Sequence, residues 1–191
     1  MKNDGKPFNI YISGVGGQGI GLLAEALLAA TVAAGVRAMG VDTHGLAQRG
    51  GLVESYLRIG DIRSPLFGRG QADLAVSLEI TEAMRAVDLW VCNNGAVACY
   101  DTIWQPLSVR RRQEASANRE KLEALCREKG IGCHTVRRDL SDIRMQNVAL
   151  MGVLAARNLI PALRAEHYEK ALGEVLAGKA LEVNLEVFRN S

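Results

Sequence analysis

Gly14-Val15-Gly16-Gly17-Gln18-Gly19 places glycines at the spacing G-x-G-x-x-G. An apolar run, Phe8–Ser13, precedes them, and a helical pattern follows from about Ile20. In that setting the first glycine permits a tight turn and the second a close backbone approach. The free amides of the helix start then favour an anion such as a diphosphate. Gly17 and the Gln18 side chain add polar groups to the same crevice. Asp42 ends a second predicted strand 23 positions after Gly19, near the place of a ribose-binding acid. A polar loop follows, Thr43-His44-Gly45-Leu46-Ala47-Gln48-Arg49-Gly50-Gly51. Arg49 has the planar fork that grips a carboxylate or phosphate. His44 can move a proton near neutral pH. Gln48 and Gly50 complete a loop that lets the backbone approach a ligand or another chain. Each motif also has a plain structural reading, as a tight strand–helix turn and as a solvated surface loop. Nothing pairs His44 with a nucleophile; Ser55 and Cys92 are unsupported in that role.

The elements that must position these residues read as alternating strands and helices. Leu23, Ala26, Leu27, Ala30 and Ala34 recur at helical spacing after the glycine loop, and Gly35 supplies a stop. Val36–Asp42 and Leu52–Ile59 are the next strands, the latter with Val53, Ser55, Leu57 and Ile59 on one face. About nine residues link them, too few for a parallel return, so an antiparallel or non-adjacent strand is expected. Ala72–Leu78 and Leu89–Cys92 are further strands around a short helix near Glu79–Ala86, and Asn93–Gln113 reads as irregular. Ala115–Lys129 is an amphipathic helix before a strand near Gly132–Val136. Three helices close the chain, near Ile143–Leu159, Glu166–Ala177 and Leu181–Phe188. The first is so apolar that it belongs in the core or against a partner chain. The expected fold is α/β: a three-layer α/β/α arrangement, Rossmann-like, with a mixed, mostly parallel sheet in a single domain over residues 1–191.

The chain has 191 residues, 48% of them hydrophobic and 23% charged, which is globular composition. A net charge of +2 argues against nucleic acid or a membrane surface as partner. Arg110, Arg111 and Arg112 form the one basic run and read as a solvated segment. Cys92, Cys99, Cys126 and Cys133 have neither zinc nor iron–sulfur spacing and read as reduced thiols. No apolar stretch reaches membrane-span length, and residues 1–13 lack a signal-peptide pattern. The cytoplasm is the expected compartment.

Taken together, the glycine loop, the His44–Gly51 loop, Arg58-Ile59-Gly60, Ser64-Pro65-Leu66, Ala72-Asp73 and Leu78-Glu79 resemble the gamma subunit, or gamma domain, of 2-oxoacid:ferredoxin oxidoreductases. The His-Gly-x-x-Gln-Arg-Gly-Gly form looks most like the beta subunit of the indolepyruvate members. Asn147 before an apolar helix and Asn184…Phe188 resemble the family's tail. The resemblance implies oxidative decarboxylation of a 2-oxoacid to an acyl-CoA, with electrons passed to ferredoxin. It implies thiamine diphosphate, magnesium and iron–sulfur clusters on partner subunits, with CoA as co-substrate and no resident cofactor assigned to this chain. It gives Gly14, Gly16, Gly17, Gln18 and Gly19 as a cofactor-facing turn. Asp42, His44, Gln48, Arg49 and Gly50 form the facing loop, with no catalytic residue and no metal ligand assigned. The expected partners are the other subunits and, for the complex, ferredoxin; an isolated chain is expected to self-associate. A stand-alone dinucleotide-binding reductase and a non-catalytic assembly module are the alternatives.

Overall fold

The computed structural model describes residues 6–43, 51–104 and 117–191. Among them are β1 (Phe8–Val15), α1 (Ile20–Ala33), β2 (Ala38–Thr43), β3 (Leu52–Ile59) and β4 (Ala72–Ser77). These lead into α2 (Ile80–Leu89), β5 (Val91–Tyr100), α3 (Arg119–Lys129) and β6 (Gly132–Val136). A short 3-10 turn, Ile143–Met145, then opens α4 (Gln146–Ala156), before α5 (Ala165–Val175) and α6 (Gly178–Arg189). The strands form one sheet in the order β2-β3-β1-β4-β5-β6. β3 is antiparallel to both of its neighbours, whereas β1–β4, β4–β5 and β5–β6 pair in parallel. The short link before β3 accounts for its reversal: a chain that cannot cross over must turn back.

Both faces of the sheet are covered, so its central strands are buried on both sides and carry apolar residues at successive positions. Ile10 and Ile12 of β1, Leu57 of β3 and Leu74 and Val76 of β4 face α1, α4, α5 and α6. Tyr11, Tyr56, Ala75, Val97 and Cys99 point the other way, against α2 and α3. Tyr11 stacks on Trp90 with ring centroids 4.8 Å apart, and Tyr56 meets the same indole edge-on at 5.4 Å. The apolar helix near Ile143–Leu159 proves to be core: Val148, Leu150, Met151 and Leu154 of α4 are at most 2% exposed.

β5 departs from the sequence reading. The segment from Asn93 onward, expected to be irregular, continues as strand to Tyr100. The pairing of Ala72 with Val91 shifts to Leu74 with Ala96, so Cys92–Gly95 bulges out of the ladder. Asn94 takes a left-handed φ of 62° in that bulge, and Asn-Gly there bends the strand without ending it. A β-carbon on Gly95 would stand 2.7 Å from Val91 Cγ1 and 3.0 Å from the Asp73 carbonyl, so only glycine fits the bend.

Helix ends follow local chemistry. Asn118 Oδ1 accepts from the Lys121 amide at 2.9 Å to start α3, and Gly130, at φ 65°, ends it. α2 is capped less usually, by the fully buried Glu79. Its carboxylate accepts from the Glu82 amide at 3.0 Å and from Thr81 Oγ1 at 3.1 Å. The Trp104 backbone amide also favours its charged form. Burial outweighs these bonds and raises the carboxyl above its usual value of 4.5.

Two stability predictions follow from this packing. A β-carbon at Gly152, where α4 crosses α6, would lie 2.5 Å from the Phe188 carbonyl oxygen. Alanine gains up to about 1 kcal/mol in helix propensity there, but overpacking against fixed backbone loses about 1–3 kcal/mol. Gly152→Ala should therefore lower the urea midpoint; an unchanged or higher midpoint would show that α6 yields freely. Glu79 gives a pH signature. An acid whose folded value is raised contributes most below its unfolded value and loses that contribution as pH rises through the folded one. Relative to Glu79→Gln, wild-type stability should fall as pH increases from about 4.5 and level off above the folded value. A flat difference between the two across that window would exclude the burial effect.

Candidate functional site

β1 and β4 lie side by side and in parallel, but the helices that follow them go to opposite faces, α1 to one and α2 to the other. Such a switch point opens a crevice at the carboxyl ends of the strands, the place where open α/β sheets take their ligands. Here the crevice has a built floor. Ser13 Oγ and Ser77 Oγ share a hydrogen bond at 2.8 Å with both residues fully buried, and the Leu78 amide donates to the Ser13 carbonyl at 3.0 Å. Above them lies the Gln18 carboxamide, 2% exposed. Its Oε1 accepts from the Val15 amide at 2.7 Å, and its Nε2 donates to the Leu78 carbonyl at 2.7 Å.

The glycine turn thereby divides into inward and outward residues. Gly14, Gly16 and Gln18 are buried, Gly17 is exposed and Gly19 is half-buried. A β-carbon on Gly14 would sit 2.5 Å from Ile20 Cδ1, so this glycine serves close strand–helix packing. The Gly16 amide donates to the Gly51 carbonyl at 2.9 Å and ties the turn to the lead into β3. The left-handed positions are Gly17, at φ 102°, and Gly19, at φ 84°. The turn's positive-φ requirement thus falls on these two and not on Gly14 or Gly16. Gln18, read from sequence as facing the crevice, points inward with both ends of its amide bonded.

What remains open to a ligand is the outer rim. α1 begins at Gly19 with no side-chain cap and no acid in its first turn. Helix geometry leaves the Ile20, Gly21 and Leu22 amides without carbonyl partners inside the helix. Trp104 flanks the turn on one side, 3.4 Å from where a Gly17 β-carbon would be. Asn147, at the start of α4, also lies against the turn, its Nδ2 3.1 Å from the corresponding point on Gly19. The Asn147 side chain is aligned by accepting from the Val148 amide at 2.8 Å. The sequence reading did not select Trp104 as a site residue, and it noted Asn147 only in the tail resemblance. Both come from segments far along the chain.

Asp42 is exposed near the end of β2 and lines a crevice of about 350 Å³ along the side of α1, with Gly21, Ala24, Glu25 and Leu28. β3 lies between β2 and β1, which sets Asp42 two strand spacings, about 10 Å, from the strand that feeds the glycine turn. His44, Gln48, Arg49 and Gly50 lie outside the described residues, as do Arg110, Arg111 and Arg112. Neither weakly supported nucleophile has a reactive setting. Ser55 is 1% exposed beneath α1, and burial raises the Cys92 thiol. On the opposite face the Tyr11 hydroxyl donates to Glu54, and Arg85 holds the buried Glu82 carboxylate through both oxygens, at 3.0 and 2.9 Å. Among the described residues no group of three His, Cys, Asp or Glu side chains is disposed to hold a metal, and no helix is long and apolar enough to cross a membrane.

The sequence of Archaeoglobus fulgidus indolepyruvate oxidoreductase subunit IorB is 30% identical over 189 residues, covering 95% of this chain and 92% of that subunit. The fold matches the keto/oxoacid ferredoxin oxidoreductase gamma subunit of Geobacter sulfurreducens, with a TM-score of 0.65 at 19% identity over 95% of this chain and 94% of that one. It also matches part of the 2-oxoglutarate:ferredoxin oxidoreductase of Magnetococcus marinus, with a TM-score of 0.69 at 18% identity. That alignment takes in 97% of this chain and 30% of the larger one. Residues 9–191 match the family model described as pyruvate ferredoxin/flavodoxin oxidoreductase, so the chain belongs to that family.

Proposed function

We propose that this chain is the gamma-type subunit of a 2-oxoacid:ferredoxin oxidoreductase, one domain over residues 1–191 that forms part of the active-site wall and holds subunits together. The match of residues 9–191 to the family carries the reading. The complex oxidatively decarboxylates a 2-oxoacid, arylpyruvate type favoured, to an acyl-CoA and passes the electrons to ferredoxin. The likeness to an indolepyruvate oxidoreductase subunit supports that substrate class. Thiamine diphosphate, magnesium and iron–sulfur clusters belong to partner subunits on this reading. The donor set among the described residues does not fit a metal or a cluster.

This chain's own contribution is a rigid anion-facing rim. The amides at the start of α1 suit a diphosphate such as that of CoA or thiamine diphosphate. Trp104 lies against Gly17 of the turn and Asn147 against Gly19. Gln18 fixes the turn from below, with each end of its buried amide bonded to backbone. Arg49, with His44, Gln48 and Gly50, supplies the facing loop. A free-standing dinucleotide reductase is disfavoured by the insertion of β3, which carries Asp42 away from the turn it would have to serve.

A native pull-down of the chain tests the subunit reading. Thiamine diphosphate and iron should co-purify on a larger partner; a chain recovered alone would overturn it. Within the assembled complex, Gly19→Ala adds about 1–2 kcal/mol of left-handed strain and crowds Asn147, so activity should fall about tenfold. Gln18→Ala leaves the Val15 amide and the Leu78 carbonyl buried without partners and should destabilise the chain by about 2–4 kcal/mol, visible in thermal melts. Arg49→Ala should leave assembly intact and lower activity; full activity in an assembled variant would remove that loop from the active-site wall.

A further inference from the structure

The end of α3 and the start of β6 bring two thiols together away from the glycine turn. The Ile131 amide donates to the Cys126 carbonyl at 2.9 Å, and this reversal returns the chain so that Cys133 packs against the core cluster to which Leu122 and Cys126 belong. Both cysteines are free. Cys126 is 1% exposed, whereas Cys133 is half-buried. The Cys126 thiol lies within hydrogen-bonding reach of the Cys133 sulfur. That contact lowers the Cys133 thiol below its ordinary value, and the charges of Arg119 and Arg127 act in the same direction. The buried partner shifts the opposite way, so the two thiols are unequal: Cys133 is half-buried with its thiol lowered, Cys126 is buried with its thiol raised.

Cys133 also opens on a cavity of about 480 Å³ that follows β6, with Arg119, Glu123, His134 and Arg157 in its wall. β6 is the last strand in the sheet order. Arg119 is bonded to Glu123 at 2.7 Å, which cancels one charge of each sign. Arg157 is exposed, and burial followed by the Arg157 charge lowers His134, leaving it neutral near pH 7. Among the side chains of that wall, Arg157 carries the positive charge not offset by Glu123.

We propose that Cys133 is a thiol–disulfide exchange site for carboxylate-bearing low-molecular-weight disulfides, with Cys126 as its resolving thiol. The Cys133 thiolate attacks one sulfur of the small disulfide. The reagent's S–S bond breaks, a mixed disulfide forms on Cys133, and the released thiolate takes up a proton. Cys126 then loses its proton to the medium and attacks the Cys133 sulfur. A Cys126–Cys133 disulfide forms as the second small thiol leaves. Two protein thiols are oxidised and one disulfide is reduced to two thiols, so atoms and electrons balance. The product staples α3 to β6. Cys99 takes no part, since it is fully buried and donates to the Tyr100 carbonyl at 3.3 Å. This inference does not depend on the proposed function.

The test treats the reduced full chain with glutathione disulfide and maps the cysteines by mass spectrometry. Wild type should yield the Cys126–Cys133 disulfide. Cys126→Ser should stop at a glutathione adduct on Cys133, and Cys133→Ser should leave Cys126 unmodified. Arg157→Gln, a change at an exposed side chain, should slow the reaction with glutathione disulfide about threefold, the effect of one nearby charge in a wet site. It should not change the rate with neutral 2-hydroxyethyl disulfide. Preferential modification of Cys92, or no adduct on Cys133 in Cys126→Ser, would overturn the exchange site. Equal slowing of both reagents by Arg157→Gln would overturn the anion preference.

Discussion

The buried carboxamide of Gln18 joins two turns that would otherwise be independent. One end satisfies the last amide of β1 and the other the carbonyl of Leu78, just past β4. These adjacent parallel strands send their helices to opposite faces, so no helix seals the gap between them. A polar side chain with one donor end and one acceptor end suits such a gap: it satisfies one backbone group of each strand and leaves neither orphaned. The Ser13–Ser77 pair below and the Glu79 cap beside it continue the same polar seam into the core. Glycine at position 14 is part of this arrangement, because a β-carbon there would meet both Ile20 and the Gln18 oxygen. The rim can be exposed and still fixed because the seam beneath it is buried and bonded.

The reversed strand β3 sets the second constraint. In a dinucleotide fold the acid of the second strand reaches the ligand held at the first turn, because those two strands are neighbours. Here β3 separates them, and Asp42 instead shares a crevice with the side of α1. The two features that suggest a dinucleotide site in sequence are thus set on strands that are not neighbours. The same insertion gives the turn a different neighbour: Gly51, at the entry to β3, accepts from the Gly16 amide.

Sequence patterns reached the sheet, its mixed character and the glycine turn because each has a local cause. The apolar run of β1 ends at glycine, the link to β3 is short, and helix caps and stops lie within a few residues of what they cap. The inward and outward division of Gly14–Gly19 was not legible, since identical residue types occupy both sides. Asn93-Asn94-Gly95 has the composition of a strand-ending turn, and only pairing with β4 reveals a bulge. Glu79 stands in the sequence only as the acid that opens a predicted helix, and its burial involves Thr102 and Trp104, whose backbone closes over the start of α2. Trp104 and Asn147 reach the turn from two different elements, a proximity that no spacing rule encodes.

α1 shows why the rim is rigid as well as polar. It lies between the sheet and α5, and Leu23, Ala26, Leu27 and Ala30 are at most 1% exposed. A helix covered on two sides cannot roll or tilt to meet a ligand without disturbing both layers, because close-packed interiors transmit displacement and do not absorb it. Its free amides are thereby held in one fixed direction at the Gly19 end of the helix. Preorganised donors of this kind stabilise charge without reorienting as it arrives, which is how backbone amides act on developing charge in enzyme sites. A subunit with no assigned acid, base or nucleophile can contribute to a reaction in this way, through the position and stiffness of its amides.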